Sequence, residues 1–211
     1  GALAVVFLRA FVEAFGIAFD QAVLYGTNAP SSWPDDIVTA ATAASQAITL
    51  GTGTDLYDDL LGESGVVAKV EEDGFMVNGH IAALSMRAKL RGLRDANGNP
   101  IFNRVTQAAT MYELDGAPID FPLNGAIIPA TALQFAGDWS QLVYSIRQDI
   151  TYKLLTEAVI QDGSGNIVHN LAQQDMVALR AVMRLGWALP NPINQVNTND
   201  STRYPFAVLL P

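Results

Sequence analysis

The stretch "QDMVALRAVMRLGWALPNP", residues 174–192, decides the fold. From Val177 to Leu189 every odd position is apolar (Val177, Leu179, Ala181, Met183, Leu185, Trp187, Leu189), and the even positions carry Arg180 and Arg184. A period of two marks a strand with one buried face. At about 3.3 Å per residue this strand is a rod of about 43 Å, whereas most strands have about five or six residues. The pattern predicts an unusually long strand with an apolar face and an arginine face.

Outward from this strand, "QDGSGN" (161–166) reads as a turn joining "ITYKLLTEAVI" to it, a β-hairpin. The segments "MYELDGAPIDF", "GAIIPAT" and "LQFAGDWSQLVYSIRQDITYKLL" have the texture of strands and turns, and "YPFAVLL" reads as a short apolar strand. The front of the chain differs. In "ALAVVFLRAFVEAFGIAFDQAVLYG", Arg9, Glu13, Gly16 and Asp20 fall on one helical stripe, with Phe7, Phe11, Phe15 and Phe19 in a row on the far side. This predicts a helix buried around most of its circumference. A helix so covered implies that further chain precedes it. Arg9 follows the apolar run rather than preceding it, unlike a signal peptide, and three charges interrupt the run, unlike a membrane span.

Between these regions, "YGTNAPSSWPDD" (25–36) reads as a linker. "DIVTAATAASQAI" predicts a small-residue helix, and a second helix is expected from Asp55. "FMVNG" predicts a short buried strand, followed by a helix over 79–94. One long helix, one long hairpin and a mixed centre make the fold class α+β.

Composition narrows the function. The 211 residues suffice for one large domain or two small ones. The absence of cysteine removes disulfides, thiolate metal sites and cysteine nucleophiles. A net charge of −9, from 12 basic and 21 acidic residues, argues against a dedicated nucleic-acid binder. His80 and His169 stand far apart without any zinc-binding pattern, and neither a nucleophile elbow nor a phosphate loop is present. "DANGNP" (95–100) fails as a calcium loop, since Pro100 occupies the glycine position; Asn97–Gly98 reads as a tight turn instead. Seven carboxylates over 55–73 (Asp55, Asp58, Asp59, Glu63, Glu71, Glu72, Asp73) read as a solvated helix face, with a carboxylate pair for acid–base chemistry as the alternative. Arg87, Lys89, Arg91 and Arg94 complement the dipole at a helix C-terminus or form a binding patch. No cofactor is expected, and the residues point away from an enzyme.

Four stretches carry a family resemblance. "LRGLRDANGNPIF", "FAGDWSQLVYSIRQDITYKLL", "QQDMVALRAVMRLGWALPNP" and the opening "AFDQAVLYGT" resemble, in order and at matching spacing, segments of the major capsid proteins of tailed bacteriophages. The resemblance implies the phage capsid fold, with a spine helix and long hairpin in a peripheral domain (1–26 and 149–192). An axial domain takes 27–148 and 193–211. It implies a structural subunit of a phage or prophage icosahedral shell, assembled in the host cytoplasm into the virion capsid. Its partners would be copies of itself in pentamers and hexamers. Scaffolding, portal and maturation protease would be further partners, with packaged DNA touched only non-specifically and no membrane. An encapsulin-like compartment shell is the alternative in the same fold, and a small carboxylate-based hydrolase the alternative outside it. In this fold the long strand places its apolar side on the spine helix and its other side toward neighbouring subunits. Arg180, Arg184, Arg87, Arg91 and Arg94 are therefore the candidate subunit-interface residues. The family's N-terminal arm and extended loop have no counterpart here, which implies monomers or small oligomers in dilute solution for these 211 residues. Some members form a Lys–Asn isopeptide cross-link assisted by a glutamate; Asp175 and Val182 stand where that asparagine and glutamate would be and the loop lysine has no counterpart, so no covalent ladder is expected.

Overall fold

The apolar run Phe206–Leu210 is the strand around which most of the chain is organised. In a computed structural model, residues 2–94, 97 and 112–211 are described, with side chains in the opening helix from Val12 onward. The DANGNP turn, apart from Asn97, lies outside the described residues, as do the side chains of Phe7, Arg9 and Phe11. Two compact units result: residues 1–143 with 187–211, and residues 144–186.

In the larger unit the elements run α1 (Ala2–Tyr25), α2 (Ile37–Ala43), β1 (Ala47–Thr49), α3 (Leu56–Leu61), α4 (Val66–Glu72), β2 (Gly79–Ala82), α5 (Leu84–Gly92), β3 (Tyr112–Leu114), β4 (Ala117–Asp120), β5 (Gln134–Gly137) and the closing β10 (Phe206–Leu210). They build a six-stranded mixed sheet in the order β1-β10-β5-β2-β4-β3. Strand β10 runs parallel to β1, with Ala47 beside Val208, and antiparallel to β5. Every residue from Phe206 to Leu209 is buried, because successive side chains enter different layers. Phe206 and Val208 join Val23, Leu24, Ile37, Phe135 and Trp187 in one core cluster, on the side of α1 and α2. Ala207 and Leu209 join Leu60, Val70, Met86 and Leu90 in the other, on the side of α3, α4 and α5. A sheet covered on both faces reads as a continuous apolar run rather than an alternation.

Local chemistry sets the element boundaries. Asp36 caps α2 by accepting from the Thr39 amide, and Asp55 caps α3 by accepting from Tyr57 and Asp58. Asp115 and Gly116 both have positive φ (51° and 75°), as the tight turn between β3 and β4 requires. Gly137 faces Phe206 across the sheet, and a Cβ there would fall 2.4 Å from the phenyl ring.

Three expectations are corrected here. "FMVNG" is not a strand: the strand is Gly79–Ala82, and the helix expected over 79–94 begins only at Leu84. Tertiary context decides this. Gly79–Ala82 is inserted between β4 and β5, and Trp139 lies so close to Gly79 that only a residue without Cβ fits comfortably. "GAIIPAT" forms no strand; the Ala132 and Thr131 amides close a turn on Ile128 instead. The turn at 161–166 closes only a short ribbon, β7 (Val159–Gln161) on β8 (Ile167–Asn170). The long strand β9 (Ala178–Ala188) follows after one helical turn, α6 (Leu171–Gln174), and pairs with β6 (Val143–Leu155).

The long strand therefore exists, but its apolar side is not buried as expected. Val177 is 63% exposed and Leu179 38%, whereas Trp187 at the other end is 6% exposed. Met183 is half-buried. The two-stranded sheet β6–β9 has no third strand, and the helix of its own unit is the single turn α6.

Candidate assembly surface

Strand β6 shows an alternation of its own. Tyr144, Ile146, Ile150, Tyr152 and Leu154 share one face, and Arg147, Asp149 and Lys153 share the other. Tyr144, Ile146, Tyr152 and Leu154 are 43–69% exposed. Met176, Val177 and Leu179 ahead of and within β9 are exposed as well, as are Val159, Ile160, Ile167 and Val168 in the ribbon. So many large apolar side chains in solvent on one small unit mark a contact surface. The sequence signal for β6 was present in its period of two.

Arg180 and Arg184 are exposed on β9. Among the described residues the only intrachain ion pair is Lys69–Glu72, at 2.9 Å, so neither arginine has a carboxylate partner within those residues. The arginines of α5 are held differently. Arg87 lies over the Tyr112 ring, 4.8 Å from its centroid, and its Nε donates to the Tyr112 hydroxyl at 3.0 Å. Arg91 Nε donates to the Arg87 carbonyl at 3.3 Å, and Arg94 Nη1 to the carbonyls of Arg91 and Leu93 at 2.8 and 2.9 Å. These bonds satisfy carbonyls that a helix C-terminus leaves orphaned. Arg91 and Arg94 remain exposed.

The seven carboxylates of 55–73 are not one solvated face. Asp59 and Asp73 are buried, at 2% and 3% exposure. Asp59 accepts the amides of Gly51 and Gly53, each at 2.7 Å. Asp73 accepts from the Tyr204 amide and Asn197 Nδ2, each at 2.7 Å, and from Gln46 Nε2. Both carboxylates spend their lone pairs on the protein's own donors. Sequence gave no signal for them beyond the neighbouring glycines and asparagines. Nor did it signal Arg203, buried in the loop 191–203 and donating to Asn191 and to the Asn197 carbonyl.

The two histidines differ in their surroundings. His80 is buried, its Nδ1 3.2 Å from Gln134 Nε2, and burial pushes its pKa down to about 4. His169 Nδ1 lies 3.3 Å from Gln174 Oε1. A cavity of about 340 Å³ under α1 is lined chiefly by apolar groups, among them Phe19, Leu24, Ile127 and Trp139, with the carboxylates of Asp20 and Asp120. Burial raises the pKa of Asp20, and a hydrogen bond from Asn124 moderates the shift. The cavity lining has no histidine or hydroxyl to serve as a catalytic partner. Among the described residues no group of three His, Asp or Glu is placed to hold a metal ion, and no helix is long and apolar enough to cross a membrane.

Comparison with known proteins follows the same lines. Residues 9–194 match the family described as the phage capsid family. The probable major capsid protein gp17 of Mycobacterium phage D29 is 29% identical over 174 residues, 79% of this chain and 52% of that protein. A solved chain of Microbacterium phage Oxtober96 superposes with a TM-score of 0.77 at 38% identity, over 97% of this chain and 64% of that one. A chain of Mycobacterium phage Bobi gives 0.77 at 33% identity, over 100% and 65%. The capsid of an empty GTA particle shares the fold, with a TM-score of 0.59 at 15% identity, over 98% of this chain and 65% of that one. The chain spans about half the length of the curated relative and just under two thirds of these solved chains.

Proposed function

This chain belongs to the phage capsid family, and from that premise we propose that it is a structural, non-enzymatic subunit of a phage or prophage icosahedral shell. The observation that supports this most directly is the two-stranded sheet β6–β9, whose exposed tyrosines, isoleucines and leucines have no cover within their own unit. A shell supplies such cover from neighbouring subunits. Subunits would associate as pentamers and hexamers, with residues 1–26 and 149–192 peripheral and 27–148 and 193–211 axial. That partition describes position in a capsomer and is separate from the two compact units. Scaffolding, portal and protease contacts, assembly in the host cytoplasm, and non-specific contact with packaged DNA follow as parts of the same proposal.

Arg180 and Arg184 serve here as interface residues that pair with carboxylates of an adjacent subunit. Their planar, bidentate forks suit that task better than lysine would. Such pairs fix orientation more than they add affinity. Asp175, which caps α6 in a left-handed conformation, and Val182 stand in place of the asparagine and glutamate of the family's cross-linking route, so in this proposal non-covalent contacts hold the shell. Phage relatives on every count disfavour the compartment-shell alternative. The buried, fully bonded Asp59 and Asp73 disfavour the hydrolase.

Electron microscopy of material purified from cells expressing the gene product that carries this sequence tests the proposal. Closed particles of uniform diameter are expected. Purely monomeric or amorphous material would overturn it.

A further inference from the structure

The larger unit is electrically polar across its sheet. Among the described residues, strands β1 and β3 are its two edges. At the β1 edge, the turn after Thr49 is tied to α3 by the bonds from Gly51 and Gly53 to Asp59. This holds Asp55, Asp58 and Glu63 at that edge, with the exposed Tyr57 among them. No lysine or arginine occurs between Arg9 and Lys69, so the edge has no cation of its own in sequence. At the β3 edge the sign reverses. Arg87 is stacked on Tyr112 of β3, and Lys89, Arg91 and Arg94 follow, all exposed. The hairpin β3–β4 also bears Glu113 and Asp120, but these alternate with the buried Tyr112, Leu114 and Ile119, which places them on the opposite face from α5. Asp115 sits at the turn. Leu60 of α3 and Leu90 of α5 share one core cluster, so the anionic and cationic helices lie on the same face of the sheet.

Six strands at about 4.8 Å spacing put the two edges roughly 24 Å apart. That distance is about three times the screening length at physiological salt, so the two charge sets barely see each other within one copy. We propose that they meet between copies: the Asp55–Glu63 end of α3 in one subunit docks against the Arg87–Arg94 end of α5 in the next, head to tail. A contact between two different patches of the same chain is heterologous, and it closes into a ring when the rotation per subunit permits. This rests on the shell-subunit reading and specifies which surfaces join subunits around a capsomer.

The test is a reciprocal charge swap in the gene product that carries this sequence. Asp58→Lys/Glu63→Lys and Lys89→Glu/Arg91→Glu should each lower particle yield about tenfold or more, through like-charge juxtaposition. The fourfold variant should restore yield to within about threefold of the parent, because complementarity is regained with the signs exchanged. Parent-like yield in either twofold variant overturns the proposal. So does a fourfold variant that melts like the parent yet stays unassembled. Should a variant fail to fold, cysteine trapping decides, helped by the absence of cysteine from these 211 residues. Tyr57→Cys/Lys89→Cys particles, once oxidised, should run as a ladder of linked chains on a denaturing gel, and monomers alone would overturn the proposal. Failure of the unaltered protein to form particles would strike instead at the shell-subunit reading.

Discussion

Strands β10 and β9 are both apolar and both extended, yet they live in different surroundings. Phe206–Leu209 has helices on each side and is buried residue by residue. Ala178–Ala188 has one partner strand, and exposure rises along its length from Trp187 back to Leu179. An uninterrupted apolar run was matched by cover from within the chain. A period-two pattern was matched by a surface that its own unit leaves exposed. Apolar patterning therefore marks a face suited to burial, and only the tertiary packing tells whether one chain suffices to cover it.

The largest effect that would sharpen this contrast is in the enclosed sheet. Phe135→Ala should destabilise the chain by about 3–5 kcal/mol through lost burial and a residual cavity, read by denaturant unfolding. Leu154→Ala in β6, by contrast, should stay within about 0.5 kcal/mol while reducing particle yield. Comparable losses of stability at both sites would break the comparison. Second, Asp73→Ala should cost about 2–4 kcal/mol, because the buried Tyr204 amide and Gln46 side chain lose their acceptor. The change should be visible as a lowered Tm with the ribbon residues 159–170 unaffected by hydrogen exchange.

Third, the larger unit should be acid-sensitive. His80 titrates near 4 when folded and near 6.5 when unfolded, so the unfolded chain takes up the proton first. Its contribution is complete above about pH 6.5 and is lost as pH falls toward 4, by at most about 3 kcal/mol. His80→Gln should flatten that slope in urea titrations at stepped pH. The smallest effect is expected at Arg184→Ala. An exposed charge without an ion-pair partner among the described residues contributes about 0–0.5 kcal/mol, so thermal melting should barely move, whereas particle yield of the whole gene product should fall. An unchanged yield would leave Arg184 as a guard against stray edge pairing.

What could be read directly in the sequence were elements whose local chemistry and long-range role agree. The opening helix, the strand over 177–189 and the closing strand belong here as elements, although the opening helix is not covered around most of its circumference as expected: Val12, Glu13, Ala14, Gly16 and Ala18 are exposed. Asp55 likewise announced the start of α3. Gly79–Ala82 was misplaced because nothing in Gly-His-Ile-Ala favours a strand by itself. Its pairing with β4 and β5 and the close approach of Trp139 impose one. The β6 surface was legible in principle through its alternation. The roles of Asp59, Asp73 and Arg203 were not, since each depends on amides and carbonyls contributed by loops whose course no local pattern reveals.

The parallel pairing of Ala47 with Val208 sets a schedule as well as a shape. Strand β10 lies between β1 and β5, so the sheet stays split until residues 206–210 have left the ribosome. At roughly 5–20 residues per second, β1 waits on the order of 10–30 s for its neighbour. During that interval the nascent chain holds Ile48 and Phe135 without their final partner, a state that invites chaperone binding and resists early closure of the core. A chain built this way is barred by its own topology from completing this sheet before its synthesis has reached the end of that strand.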